Sequence, residues 1–133
     1  MKTSQELVAE VRKTINEIST SQLNELLHKE EVIVIDVREP GEFAAGHVPS
    51  SVNFPRGVLE MKIHTHPAVG YECDTETALK ELAEKELYLI CQSGGRSALS
   101  AESLQRLGFS KVTSVAGGMK DWKEQGLQVV QPS

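Results

Sequence analysis

Four consecutive β-branched residues, Val32-Ile33-Val34-Ile35, constrain the fold of this chain more than any other segment. An uninterrupted run of that kind suits a central strand covered on both faces, since a strand with one wet face would alternate. Leu87-Tyr88-Leu89-Ile90 reads the same way, and Lys111 to Val115 predicts a further strand. Helical patterns separate these runs. Strands alternating with helices predict an α/β domain with a mainly parallel central sheet, and right-handed crossovers then place helices on both of its faces. Ligands of such sheets sit beyond the C-terminal ends of the strands.

The helices can be placed by spacing and caps. Leu7, Val8, Val11, Ile15 and Ile18 recur with helical period, which predicts an amphipathic helix over most of residues 4–17. Ser19 with Gln22 forms a capping-box pattern before the stripe Leu23, Leu26 and Leu27. A short strand is expected over Ser51 to Phe54, and Asp74 is placed to cap a helix through Leu79 and Leu82. A longer helix is expected from about Ser97 to Leu107, stopped by Gly108. Gly117-Gly118 reads as a turn and Lys120 to Gln125 as a short helix. Residues 55–73 carry two prolines and no lasting period, so no element is assigned there. At 133 residues the chain has room for one domain with a sizeable core. Residues 1–17 form an N-terminal helical extension in this reading, and 18–133 form the domain.

Composition excludes some partners. A formal charge of −5 gives no support to binding nucleic acid or an anionic membrane. No apolar run approaches membrane-spanning length, and Met1 to Glu17 lacks the apolar core of a signal peptide, so a cytoplasmic protein is expected. The two cysteines, Cys73 and Cys91, are not expected to pair in a reducing compartment.

Chemistry concentrates in Cys91-Gln92-Ser93-Gly94-Gly95-Arg96-Ser97. The cysteine falls at the end of a buried strand and just before a helix. Two glycines allow backbone conformations in which several N–H groups turn inward together. The helix behind adds partial positive charge. Such a loop is an anion cradle suited to a reactive sulfur, and Cys91 is the candidate nucleophile.

Several separated segments together resemble the rhodanese family of sulfurtransferases. They are Ile33 to Phe43 (IVIDVREPGEF), Gly46 to Pro55 (GHVPSSVNFP), the Cys91–Ser97 loop, and Val115 to Trp122 (VAGGMKDW). The resemblance covers about residues 18–130 and implies a rhodanese-like domain. It also implies a ping-pong reaction with no bound cofactor. Cys91 takes a sulfane sulfur from a donor such as thiosulfate, becomes a persulfide, and passes the sulfur to cyanide or a thiol. The loop residues Gln92, Ser93, Gly94, Gly95, Arg96 and Ser97 are then the candidate substrate and persulfide contacts. Four residues separate Cys91 from Arg96. Related phosphatases and arsenate reductases carry five, so a phosphatase is disfavoured.

Other residues admit two readings each. Arg96 could bind the sulfonate of thiosulfate or pair with a carboxylate. Asp36, Arg38 and Glu42 are read as architectural, pairing with one another or capping neighbouring backbone, with Arg38 a candidate for the pocket rim. His47 is read as a hydrogen-bonding residue that fixes its loop, and Trp122 as core. His64 and His66, with Glu72, Cys73 and Asp74 nearby, match no closed metal-ligand pattern, so no metal is assigned. Cys73 is a candidate resolving thiol against an inert cysteine. The N-terminal helix could pack on the domain, pair with a second copy in a homodimer, or recruit a partner, and a protein could accept the sulfur. The rival reading is a non-catalytic rhodanese-like sensing or interaction module.

Overall fold

A computed structural model describes residues 1–132. Its sheet has five strands, β1 (Asn16–Ile18), β2 (Ile33–Asp36), β3 (Val52–Asn53), β4 (Leu87–Ile90) and β5 (Val112–Val115), in the order β1-β5-β4-β2-β3. Every pair is parallel, with Ile33 opposite Leu87 and Leu87 opposite Val112. Seven helices surround the sheet: α1 (Ser4–Arg12), α2 (Thr20–Lys29), α3 (Pro40–Ala45), α4 (Leu59–Lys62), α5 (Thr75–Ala83), α6 (Gly95–Leu107) and α7 (Gly118–Glu124). None is long and apolar enough to cross a membrane.

The uninterrupted strands fill two cores at once. Ile35, Leu87 and Leu89 join Leu59, Ile63, Leu82 and Leu104 on one face. Val34, Tyr88 and Ile90 join Leu23, Val115, Met119 and Trp122 on the other. Each such leucine or isoleucine contributes about 1.5–3 kcal/mol when fully buried. An exposed ion pair contributes about 1 kcal/mol or less. The two-sided core therefore dominates the stability of the sheet.

Caps behave as the sequence predicts in α2, where Ser19 accepts from Gln22 N–H, and in α5, where Asp74 accepts from Thr77 N–H. Two elements differ. The spacing that predicts a helix over 4–17 is realised only to Arg12, where Thr14 N–H and Oγ1 both donate to Val11 O and the chain leaves the helix. Asn16–Ile18 instead adds an edge strand along β5. Backbone pairing with a strand almost a hundred residues away outweighs a local helical period. The second difference is α3, which Pro40 at its first position and Glu42 Oε1, accepting from Glu39 N–H, define in a segment read only as a motif.

Residues 55–73, unassigned from sequence, form consecutive single turns. Helical turns of three residues at Arg56–Val58, Ile63–Thr65 and Pro67–Val69 flank or follow α4. Leu59, Ile63 and Val69 are fully buried and fasten these turns to the core.

Candidate active site

β4 is the central strand. Its crossover leads to β5 on one side, while that of β2 leads to β3 on the other, so the chain diverges between β2 and β4. Crevices at the C-terminal ends of two such strands are where α/β sheets bind ligands. Cys91 follows β4 at that point and is 1% exposed.

Its sulfur is held by backbone. Gly94 N–H donates to Cys91 Sγ at 3.1 Å and Ser97 N–H at 3.3 Å. Gly94 achieves this with φ of +101°, a conformation that glycine adopts without steric cost. Ser97 Oγ lies 3.5 Å from Sγ and 2.8 Å from Ser114 Oγ, which is buried on β5. Ser114 is a contact that the strand pattern of 111–115 does not reveal. Two hydroxyl residues, Thr113 and Ser114, between Val112 and Val115 are the available signal.

The carbonyls on the other side of the loop are taken by α7. Met119 N–H donates to Cys91 O at 2.8 Å and Lys120 N–H to Gln92 O at 2.9 Å. A Cβ on Gly118 would lie 2.4 Å from Cys91 O and 2.6 Å from Gln92 O, so a glycine is required for this approach. The segment read as a turn is thus the clamp that holds loop carbonyls outward and leaves its N–H groups facing the sulfur.

Arg38, read as architectural with the pocket rim as its alternative, is 2% exposed. Its guanidinium donates to both Asp36 carboxylate oxygens and to Gly46 O. Desolvating a guanidinium is costly without such partners, and here they lie within its own motif. Asn53 Nδ2 donates to Asp36 O and Arg38 O, tying the loop after β2 to β3. Arg96 is joined to Glu42 by two hydrogen bonds of 2.7 and 2.9 Å. That pairing holds the Glu42 carboxyl at about 2, first through the hydrogen bonds from Arg96. The Arg96 guanidinium therefore takes the carboxylate alternative, while its backbone remains part of the loop.

The remaining candidates separate from the loop. His47 Nδ1 is hydrogen-bonded to Phe43 O at 2.9 Å, and its ring stacks on Phe43. Trp122 Nε1 donates to Gln128 O. His66 is buried, its Nδ1 accepts from Ala68 N–H, and burial pushes its pKa below the ordinary histidine value. Cys73 is exposed and unpaired with Cys91. Among the described residues no three His, Cys, Asp or Glu side chains converge as a metal site.

The family model of the rhodanese-like domain matches residues 19–125. The chain belongs to the rhodanese family. The match spans β2 to β5, the loop and the clamp of this rhodanese domain, and leaves α1 and β1 outside. YtwF of Bacillus subtilis (strain 168), provisionally named a sulfurtransferase, is 36% identical over 82% of this chain and 91% of its own length. The thiosulfate:glutathione sulfurtransferase of Homo sapiens is 28% identical over 81% of this chain and 93% of its own. YrkF of Bacillus subtilis (strain 168), provisionally named a sulfur carrier protein, is 33% identical over 82% of this chain, which spans only 51% of that protein. A Rhodopseudomonas palustris protein of unknown function, described as a possible tyrosine phosphatase, superposes with a TM-score of 0.78 at 27% identity. That likeness covers 98% of this chain and 96% of the other.

Proposed function

We propose that this rhodanese domain is a cytoplasmic sulfurtransferase that carries sulfane sulfur from thiosulfate to a thiol through a Cys91 persulfide. The observation that carries this reading is the pair of N–H groups on Cys91 Sγ, with the loop carbonyls drawn away by α7. Fixed donors around the sulfur stabilise negative charge that develops there during transfer, and they need no reorganisation when charge moves.

In the first half-reaction the Cys91 thiolate attacks the outer sulfur of thiosulfate. The new bond is Sγ–S, and the S–S bond of the donor breaks with its electron pair leaving on sulfite. The persulfide then carries the negative charge on its outer sulfur. Gln92, Ser93, Gly95 and Arg96 contribute the remaining backbone N–H groups of the loop, the last two at the first turn of α6, where helix amides lack internal partners. In the second half-reaction an acceptor thiolate attacks that outer sulfur and the electron pair returns to Cys91. The name of the human relative, a thiosulfate:glutathione sulfurtransferase, supports this donor and acceptor class. The spacing of four residues between Cys91 and Arg96 supports sulfur over phosphate as the transferred group.

Intact mass after incubation with thiosulfate tests the reading. The wild-type chain gains one sulfur atom and the Cys91→Ser variant gains none. A wild-type chain whose thiol is free yet unchanged in mass would overturn it.

A further inference from the structure

α1 packs on α6 and so brings its exposed residues beside the cysteine loop. Between helix and loop runs a cleft of about 360 Å³ lined by Ser4, Gln5, Val8 and Arg12 on one side and Ser93 and Gly95 on the other. Cys91 does not line it. Ser93 and Gly95 belong to the loop that holds Sγ, so an occupant of the cleft lies beside the cradle and not on it.

Arg12 is the one charged side chain lining this cleft among the described residues. Its Nε is held 3.4 Å from Glu17 Oε2, which fixes one edge of the guanidinium. Its Nη2 lies 2.9 Å from where a Cβ on Gly94 would stand, so the charge sits against the sulfur-holding turn itself. The side chain is 41% exposed, and neither Nη group has a hydrogen-bond acceptor among the described residues. The contrast with Arg96 is direct, because Glu42 already occupies both Nη groups of that guanidinium. Two arginines adjoin the loop, and the one whose Nη groups make no hydrogen bond is Arg12, which meets Glu17 only through Nε. The neutral side chains of Ser4, Gln5 and Ser93 add hydrogen-bonding groups without competing charge.

We infer that the α1 cleft is the acceptor subsite, in which Arg12 binds a carboxylate of a small, peptide-like anionic thiol. This rests on the Cys91 sulfurtransferase reading. A planar guanidinium with spare donors matches a carboxylate in two parallel hydrogen bonds. Thiosulfate does not fill this role. Its sulfonate is bonded directly to the sulfur that Cys91 attacks, so it must sit above the cradle and not in a cleft alongside. A peptide-like thiol carries a carboxylate several bonds from its sulfur, the separation that an anchor beside the cradle and a nucleophile above it require. Once seated, its thiolate attacks the outer sulfur of the persulfide. The Sγ–S bond breaks, Cys91 recovers the electron pair as a thiolate, and the acceptor leaves as its own persulfide.

Steady-state transfer from thiosulfate to glutathione or to uncharged 2-mercaptoethanol tests the subsite in the wild type, Arg12→Ala and Arg12→Lys. Arg12→Ala is expected to raise KM for glutathione about tenfold, the loss of one charge-assisted contact. The KM values for 2-mercaptoethanol and thiosulfate stay unchanged, and Arg12→Lys falls between. A rise shared by 2-mercaptoethanol, a rise confined to thiosulfate, or no rise at all would overturn the assignment. Calorimetric binding of S-methylglutathione reads the cleft without turnover. Weaker binding by Arg12→Ala supports the subsite, while equal binding, or none by the wild type, rejects it. Sulfur uptake measured by mass reports separately on Cys91, so failure of the subsite and failure of the sulfurtransferase reading are distinguishable.

Discussion

The Cys91 loop and the 56–73 segment are both irregular, yet they are held by different forces. In the loop, polar backbone does the holding: two N–H groups meet Sγ and two α7 N–H groups meet the carbonyls. In the segment, apolar anchors do it. Leu59, Ile63 and Val69 are fully buried, while Met61 and Tyr71 stand 74% and 73% exposed. The loop fixes two backbone donors around one atom. The segment fixes only where its turns touch the core. Their cysteines follow suit, with Cys91 buried in the cradle and Cys73 exposed at the end of the segment.

The sharpest test of that contrast uses the two thiols. Cys91→Ser should abolish sulfur transfer and Cys73→Ser should leave kcat/KM within about twofold of wild type, since only the former sulfur receives the loop donors. Comparable losses from both, in the same assay, would break the comparison and recruit Cys73 as a resolving thiol.

Next in size is Leu59→Ala. Truncating this buried anchor should cost about 2–5 kcal/mol in urea unfolding, with kcat/KM of the folded fraction retained. A selective fall in kcat/KM would mean that the segment shapes the cradle directly.

Gly118→Ala tests the clamp from the other side. The added Cβ meets Cys91 O and Gln92 O at a backbone φ of +58°. We expect about 1–3 kcal/mol of destabilisation together with about a tenfold fall in kcat/KM. Gly57, where an added Cβ would meet nothing within 4 Å, serves as the paired control, and Gly57→Ala should be neutral in both measurements. Equal effects at the two glycines would remove the distinction between clamped and anchored backbone.

The smallest effect belongs to the Glu42–Arg96 pair. Glu42 titrates at about 2 in the fold against an ordinary 4.5. A carboxyl lowered by folding stabilises above its unfolded value, and that contribution fades as pH falls from about 4.5 toward 2. Both side chains are more than a third exposed, so screening limits the contribution to about 1 kcal/mol or less. The stability gap between wild type and Glu42→Gln should close across that pH window and narrow in high salt. A gap independent of pH would assign Glu42 a packing role only.

Much of the site was legible because its signals are local. The glycines of the loop, the strand before it and the helix after it are neighbours in sequence, and they place Cys91 without any tertiary knowledge. The role of Gly118 was only half legible. A turn can be read from Gly117-Gly118, but not which carbonyls it approaches. Arg96 shows the same limit. Whether its guanidinium meets a carboxylate depends on how α3 returns to the loop.

By itself, the sequence determined the main strands of a parallel sheet, most of the helices between them and the cysteine at a strand's C-terminal end. These follow from apolar runs, caps and glycines, whose preferences act over a few residues. Tertiary structure decided the rest. It ended the first helix at Arg12 and turned Asn16–Ile18 into an edge strand, gave Arg96 to Glu42, and laid α1 and Arg12 beside the loop. Each of those outcomes is a pairing between residues whose competing partners look alike in sequence. Packing chooses among them, because a buried or half-buried charge settles on the partner that the surrounding backbone brings within reach.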